Sequence, residues 1–115
     1  APTLAIDERR IIAVGSGGSN RLRTAILQTL NNLYDFGMDA RAAVASPRIH
    51  AERDLLSIEP GFDDAVVEQV CAAFPEHHRW AEQNLFFGGT HTVIHEGRTF
   101  SGAGDPRRDG VFMVV

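Results

Sequence analysis

Residues 10–34 read RIIAVGSGGSNRLRTAILQTLNNLY, and this stretch decides the fold class. Arg10 and the apolar run at 11–14 predict a β-strand, and the small and polar residues at 15–20 interrupt it before a helix begins. Apolar side chains then recur at helical spacing: Leu22, Ile26, Leu30 and Leu33, with Leu27 and Tyr34 widening the stripe. Ser19 or Asn20 is a candidate N-cap. The expected order is strand, glycine turn and long amphipathic helix.

Strands and helices continue through the rest of the chain without repeats or low-complexity linkers. The further expected elements are a strand at 3–7, a helix capped by Asp39 that ends before Pro47, one or two strands within 50–58, a helix from Asp63 to Phe74, and β-structure at 79–81, 86–87, 92–94, 99–100 and 111–115. Gly37 suits the end of the first long helix, and Glu96-Gly97 predicts a hairpin turn. This order favours an α+β fold, with helices packed on an antiparallel sheet.

Composition excludes several classes of function. The chain has 115 residues, one domain or a fragment of one, and its net charge of −4 argues against a nucleic-acid partner. No apolar run approaches the roughly 18 residues of a membrane span, and no signal peptide is expected at the N-terminus. There is no lysine, which excludes a Schiff base or a phosphate-loop lysine. Cys71 is the single cysteine, so neither an internal disulfide nor a thiolate cluster can form.

The glycine turn at 15–20 is the first candidate site. Glycines allow positive φ and close approach of a ligand. Free amides at the start of a helix can bind an anion or a developing oxyanion. On spacing alone, a plain glycine-rich turn without a ligand carries equal weight.

Two other chemistries match the same turn less well. A dinucleotide fingerprint needs Gly or Ala where this chain has Asn20, and it needs a parallel strand after the helix, which the sequence does not predict. Ser16 and Ser19 lie among glycines, but neither stands in the G-x-S-x-G motif of serine hydrolases.

The histidines predict no metal site. His77 and His78 are adjacent and would point to opposite faces of a strand. His91 and His95 fall on one face of a predicted strand, about 13 Å apart, without a third ligand at a motif spacing. We expect surface or hydrogen-bonded histidines.

The charged segment at 105–110 is expected to be a solvated loop whose ion pairs are internal. The alternative is that Arg107 and Arg108 bind a carboxylate through their guanidinium forks.

Motifs along nearly the whole chain match those of one known family in order. GSGGSNRL at 15–22 is similar to that family's G-S-P-G-G-S-R-I, without its proline. The other matches are APTL at 1–4, DFGMD at 35–39, AAV at 42–44, SPRIH at 46–50, LSIEPGF at 56–62, NLFFGG at 84–89 and GAGDPRR at 102–108. On these motifs the chain resembles the gamma-glutamyltransferases, which belong to the N-terminal nucleophile hydrolases.

This resemblance implies an αββα sandwich and a threonine acyl-enzyme. Autoproteolysis in the family frees an N-terminal threonine, which attacks a gamma-glutamyl amide such as glutathione; water or an amino acceptor then resolves the acyl-enzyme. Two backbone amides of the glycine turn form the oxyanion hole. Matching glycine to glycine assigns them to Gly17 and Gly18, whereas a gapless alignment through Arg21 assigns them to Gly18 and Ser19. We expect no cofactor and no metal.

The family's threonine, and the paired serines that hold the substrate carboxylate, lie upstream of the matching segment. The resemblance therefore predicts that residues 1–115 are the C-terminal part of the small subunit and are inactive alone. The expected partners are the rest of the precursor, namely the large subunit and the start of the small subunit, and a gamma-glutamyl substrate. A periplasmic or extracellular location is compatible with the family, although the chain itself carries no location signal.

Two other functions stay open at this point. The chain could be an anion- or nucleotide-binding module built on the glycine turn, or a catalytically dead interaction domain. An exposed apolar face would also allow a homo-oligomer.

Overall fold

The computed structural model describes residues 2–17 and 21–114, and within them the chain forms two sheets with three α-helices. The elements are β1 Pro2–Ile6, β2 Arg10–Gly15, α1 Leu22–Tyr34, α2 Ala40–Ala45, β3 Ile49–Glu52, β4 Leu55–Ile58, α3 Asp64–Ala73, β5 His77–Arg79, β6 His91–Glu96 and β7 Thr99–Ala103. Two short 3₁₀ turns lie at Leu85–Phe87 and Pro106–Arg108. No described helix is both long and apolar enough to cross a membrane.

The larger sheet carries α1 and α2 on one face. Its strands are all antiparallel, in the order β1-β2-β6-β7. Ile12 of β2 lies opposite Ile94 of β6, and both are buried with Leu33 of α1 and Val44 of α2. Burying side chains of this size contributes about 1.5–3 kcal/mol each, and this contact holds the two helices on the sheet.

The opposite face of the same sheet is apolar and exposed, since side chains alternate between the two faces of a strand. Five large hydrophobic side chains occupy this open face, from 40% to 69% exposed: Leu4, Ile6, Ile11, Val93 and Phe100. The register aligns them in rows, with Leu4 opposite Ala13 and Ile6 opposite Ile11. A contiguous apolar face of this kind is typical of a surface that packs against another layer.

The smaller sheet, β3-β4-β5, is mixed. β3 pairs with β4 in a tight antiparallel hairpin, and β5 runs parallel to β4 on its other side. The helix α3 provides the crossover between these parallel strands, and its Val67 is buried against Leu56 and Ile58. This sheet forms a second core beside the larger one.

The predicted helix starts at the two aspartates are confirmed. The Asp39 carboxylate accepts the Ala42 amide at 2.8 Å, and the Asp63 carboxylate accepts the Ala65 amide at 2.9 Å. Each satisfies an amide that has no partner within its helix. The predicted caps of α1, Ser19 and Asn20, lie outside the described residues.

Three predicted strands differ from the structure. Phe86 and Phe87 lie in a 3₁₀ turn, because the Asn84 side chain caps it and their rings pack against each other at 5.0 Å. The strand expected at 79–81 begins earlier, at 77–79. The described residues of 111–115 form no strand; Phe112 instead lies over Gly102.

The prediction of an α+β fold with helices packed on an antiparallel sheet is confirmed. The structure also weakens the dinucleotide-binding alternative. Both neighbours of β2, the strand that leads into the glycine turn, are antiparallel to it. A dinucleotide fingerprint needs a parallel βαβ unit at this point.

Candidate functional site

The glycine turn lies where β2 leaves the sheet and α1 begins. Gly17 is described and exposed, whereas Gly18 and Ser19 lie outside the described residues. The assignment of oxyanion amides to these three residues therefore stays a prediction. What the structure provides is the support on both sides of the turn.

Ser16 anchors the first side of the turn. Its buried hydroxyl accepts the Gly89 amide at 3.2 Å and donates to the Gly17 carbonyl at 3.0 Å. Gly88 leaves room for this hydroxyl: its φ is +85°, and a Cβ there would lie 2.8 Å from the Ser16 oxygen. Ser16 is thus occupied in structural hydrogen bonds, which argues against its use as a hydrolase nucleophile.

Arg108 crosses the outside of the turn. Its guanidinium lies 3.5 Å from the Gly17 carbonyl, at the outer limit of a hydrogen bond. The aliphatic part of Arg108 passes over Gly89 so closely that a side chain at that position would collide with it. The two glycines 88 and 89 therefore admit the two side chains that contact the turn.

Arg21 anchors the second side, directly before α1. Its Nε donates to the Phe86 carbonyl at 2.7 Å, and its guanidinium lies 4.0 Å from the centroid of the Phe86 ring. Both sides of the turn therefore contact residues 86–89, the end of the 3₁₀ turn together with the glycine pair. We call residues 86–89 the platform.

A buried network of four charged residues packs against the platform. Arg48 and Asp105 pair at 2.8 Å, and Arg107 pairs with Asp105 at 3.1 Å and with Glu59 at 2.6 Å. All four are at least nine-tenths buried, and two positive charges balance two negative ones. Such a cluster is tolerated in the interior only when its charges are paired and hydrogen-bonded, as they are here.

Arg48 connects the network to the platform. Its guanidinium donates to the carbonyls of Phe87 at 3.1 Å and Gly88 at 3.4 Å. It also donates to the Thr90 hydroxyl at 2.6 Å, which in turn accepts from Thr29 of α1 at 2.8 Å. The first helix, the residue directly before β6 and the platform are thereby joined through one side chain.

The network shifts the pKa values of its members. Burial alone raises the pKa of Asp105, but the Arg48 charge, the amides of Thr90 and Arg107 and the Arg107 charge outweigh it, so the pKa lies below its usual value. Burial lowers the pKa of Arg107, yet hydrogen bonds and charges from Glu59 and Asp105 raise it overall. Both of these shifts favour the ionised Asp105–Arg107 pair, whereas burial outweighs the Asp105 charge at Arg48 and lowers the pKa of that guanidinium.

The prediction for the charged segment at 105–110 is therefore wrong in two respects, its burial and its partners. The Asp105–Arg107 ion pair is internal to the segment, as expected, but both residues also pair with Arg48 or Glu59 outside it, and both are buried rather than solvated. Arg107 binds carboxylates of its own chain, and of the two arginines only Arg108 is exposed.

The expectation of surface or hydrogen-bonded histidines is confirmed. His91 is exposed and its Nδ1 accepts the Asp105 amide at 3.1 Å, while His95 stacks on Phe100 at 4.5 Å. His50 is buried and lies 3.0 Å from the Thr24 hydroxyl. Within the described residues, no group of three His, Cys, Asp or Glu side chains could hold a metal ion.

Spacing in the sequence did not reveal the supports of the turn. From spacing, Ser16 is a candidate only for a nucleophile, and neither the glycine pair at 88–89 nor Arg48 has a predicted role. Their one signal was membership in the matched motifs NLFFGG and SPRIH.

The matches to known proteins extend along the whole chain. Residues 1–115 match the Gamma-glutamyltranspeptidase family. A glutathione hydrolase proenzyme of Pseudomonas aeruginosa is 30% identical over 100% of this chain, and an acylase ACY 1 proenzyme of Pseudomonas sp. strain SE83 is 31% identical over 100% of it. The chain spans only 21% and 20% of these two curated relatives.

A solved structure agrees with the sequence matches. The gamma-glutamyltranspeptidase from Pseudomonas nitroreducens, complexed with L-DON, superposes with a TM-score of 0.84 and 27% identity. The alignment covers 100% of this chain and 61% of that one. On its sequence and its fold, this chain belongs to the gamma-glutamyltranspeptidase family of N-terminal nucleophile hydrolases.

Proposed function

We propose that residues 1–115 form the C-terminal part of the catalytic subunit of an enzyme that transfers or hydrolyses gamma-glutamyl groups. The relatives named glutathione hydrolase and gamma-glutamyltranspeptidase match it from end to end, which supports the reaction class. The small share of the relatives that it spans supports its being one part of a longer precursor.

The observation that carries the proposal is the glycine turn anchored on both sides at the start of α1. Backbone amides at this point benefit from the partial positive charge of a helix N-terminus. An oxyanion hole works because its donors are already in place before charge develops, so it needs a rigid frame. Ser16 and Arg21 provide such a frame by fixing the turn to the platform at 86–89.

In the proposed reaction this chain stabilises the oxyanion. The upstream threonine hydroxyl attacks the carbonyl carbon of the gamma-glutamyl amide, and the amino group of that threonine takes the hydroxyl proton. The carbonyl oxygen becomes an oxyanion beside amides of Gly17 and Gly18, or of Gly18 and Ser19. The amine then leaves with the transferred proton, and water or an acceptor amine attacks the remaining ester. The chain alone has no residue in the nucleophile's role and is inactive by itself.

The open face is evidence for the proposed partner, the rest of the precursor. A depression on this face reaches the turn, and Leu4, Val93 and Gly17 all line it. A second layer from the rest of the precursor, placed against the open face, would cover these apolar side chains and deliver the nucleophile next to the turn.

The open face also favours a second candidate, a catalytically dead domain that binds another protein or a second copy of itself. The two functions differ in one requirement. An oxyanion hole needs the amides of the turn, whereas an interaction domain needs only the apolar side chains of the open face. An anion- or nucleotide-binding module has no comparable support outside the turn.

The test begins with the full-length precursor and a chromogenic gamma-glutamyl anilide. We expect the processed precursor to turn the substrate over, and residues 1–115 alone to show no turnover. When the upstream polypeptide and residues 1–115 are produced separately and then mixed, the mixture should recover the activity of the processed precursor. Ile11→Glu on the open face should block this recovery, and Arg98→Ala in the exposed β6–β7 turn is the matched control. A processed precursor without turnover would refute the enzyme proposal, and turnover by the isolated chain that disappears on Thr90→Ala or Ser19→Ala would refute its dependence on an upstream nucleophile.

A further inference from the structure

We propose that the outer edge of β3, where it faces the start of α1, binds an extended acidic segment of the precursor that lies outside residues 1–115. This inference rests on one part of the proposed function, namely that the chain belongs to a longer precursor. The site is a groove of about 600 Å³ between α1 and the β3–β4 hairpin, lined by Arg23, Thr24, Leu27 and residues 50–53. We call it the β3 groove. The segment adds to the smaller sheet as a short strand.

The pairing of β3 with β4 determines which backbone groups face the groove. β3 is an end strand of the smaller sheet, whose order is β3-β4-β5. The Glu59 amide donates to the Arg48 carbonyl at 3.0 Å, so this pair is hydrogen-bonded across the hairpin. Hydrogen-bonded and non-hydrogen-bonded pairs alternate along an antiparallel ladder. The register therefore directs the amides and carbonyls of Ile49 and Ala51 away from β4, to the outer edge.

A side chain of α1 already occupies the first position of this edge in the manner of a peptide group. The Gln28 Nε2 donates to the Ile49 carbonyl at 2.8 Å, and the Gln28 Oε1 accepts the Ile49 amide at 2.9 Å. Two residues further along β3, Ala51 is exposed, and within the described residues its amide and carbonyl have no hydrogen-bond partner. Unpaired groups at a sheet edge are a template for an added strand. The second position of the edge is therefore open to the backbone of another segment.

Two arginines make the groove positive, although the chain as a whole has a net charge of −4. Arg23 of α1 and Arg53 of the hairpin turn are both exposed and line the groove. Neither forms an ion pair with another residue that the structure describes. Glu52 adds one negative charge, and its carboxylate lies 3.6 Å from the His50 Nε2. Guanidinium groups bind carboxylates through paired hydrogen bonds, so an acidic segment complements the groove. A second copy of this chain would instead bring its own two arginines against these.

Arg53 has a backbone conformation that suits glycine. It is the first residue of the two-residue turn between β3 and β4, and its φ is +56°. Two-residue hairpin turns favour Gly, Asn or Asp where φ is positive. Side chains kept in such a conformation cluster at binding and active sites. Here the arginine places a cation at the end of the groove, where glycine would leave none.

The rest of the precursor is the assigned source of the segment. Residues 1–115 span 21% and 20% of the two curated relatives, so most of such a precursor lies outside them. A segment of the same polypeptide is held near the groove at high effective concentration, so a few contacts are enough. Those contacts are one pair of backbone hydrogen bonds at Ala51, an ion pair with Arg23 or Arg53, and apolar contact with Leu27, which is 58% exposed.

The test uses the full-length processed enzyme and two readouts. Hydrogen exchange resolved to single residues follows the Ala51 amide. A photo-cross-linking benzophenone side chain in place of Leu27, followed by mass spectrometry, identifies the segment in the groove. The double variant Arg23→Glu with Arg53→Glu reverses the charge of the groove, and Arg41→Glu in α2 is the matched charge-reversal control.

We expect the Ala51 amide to exchange at least about 100-fold more slowly than in an unstructured peptide, because the segment accepts it. The double charge reversal repels the segment and should speed this exchange by roughly tenfold or more, while Arg41→Glu leaves it unchanged. The cross-link should join position 27 to one upstream peptide that contains Asp or Glu. Ala51→Pro should lower the yield of that cross-link, because it removes the outward donor of an edge strand and leaves the ladder to β4 intact.

The outcomes separate the groove from the reaction proposed above. An active enzyme whose Ala51 amide exchanges as fast as an unstructured peptide would show water at this edge, and the groove proposal would be wrong. Protection that survives the double charge reversal, or a cross-link to a second copy, would refute the acidic precursor segment. An inactive enzyme with a protected Ala51 and an upstream cross-link would refute the reaction and leave the groove proposal standing. Should the double variant fail to fold, Arg53→Gly decides the question, because glycine suits the turn and removes one cation.

Discussion

Replacement of Arg107 by alanine should destabilise this chain more than any exposed arginine change. The Arg107 guanidinium donates to both Glu59 oxygens, at 2.6 and 2.8 Å, and to the carbonyls of Val44 at 2.9 Å and Ser46 at 2.8 Å. Alanine removes all of these donors together and leaves a buried carboxylate without its counter-charge. Because these contacts join residues 44–46 and 59 to the 105–108 turn, the loss affects several elements together.

The expected magnitude is about 3–5 kcal/mol of unfolding free energy, the usual cost of removing one partner from a buried ion pair. The Glu59 carboxylate would keep only its hydrogen bonds from the amides of Arg48, at 2.9 Å, and Asn84, at 3.2 Å. Domains have a total stability of roughly 5–15 kcal/mol, so this loss is a large fraction of the whole. The melting temperature should fall by on the order of 10–20 °C.

Urea unfolding followed by Trp80 fluorescence measures the effect, because the indole stacks on Phe86 at 4.9 Å and should report loss of the platform. The matched control is Arg9→Ala, which breaks an exposed ion pair with Glu96 of 2.8 Å. Exposed pairs contribute up to about 1 kcal/mol. If Arg107→Ala costs no more than Arg9→Ala, the buried network does not hold the fold and the reasoning fails.

Three further predictions follow from other parts of the molecule. The pKa of Asp105 is depressed in the folded state, so its ionisation stabilises the fold above the unfolded pKa of about 4, and this stability is lost as the pH falls through the lower folded pKa. Asp105→Asn should therefore flatten the acid side of the stability–pH curve, and an unchanged acid slope would contradict this. In the full-length enzyme, Gly18→Pro removes an amide and should lower kcat by roughly 100- to 1,000-fold with a smaller change in substrate affinity. Gly18→Ala keeps the amide and controls for strain; a folded Gly18→Pro enzyme within a few-fold of the parent would exclude Gly18. The isolated chain should self-associate through its open face, and Phe100→Glu should weaken this in light scattering. A monomer at high concentration that binds no apolar dye would count against an uncovered face.

Local patterns determined much of the fold from sequence alone. The helical spacing of apolar residues predicted α1, and Asp39 and Asp63 predicted the starts of α2 and α3. These predictions succeed because periodicity and capping depend on residues within about four positions of each other. The matched motifs also identify the family from sequence alone.

The strand predicted at Phe86 and Phe87 shows what local patterns fail to predict. Two adjacent aromatic residues are compatible with a strand, and the presence of Asn84 two residues earlier does not by itself exclude it. Trp80, which lies outside the turn, stacks on one ring and lies edge-on to the other, at 4.9 and 5.6 Å, and this packing adds to the Asn84 cap in fixing the turn.

The supports of the candidate site depended entirely on tertiary structure. A charged stretch such as 105–110 predicts a solvated loop, because an isolated charge cannot be buried. Burial became favourable only when the fold brought in Arg48, which pairs with Asp105 across 57 positions, and Glu59, which pairs with Arg107 across 48. The sequence alone could identify the glycine turn, whereas only long-range pairing and close packing determined what holds that turn in place.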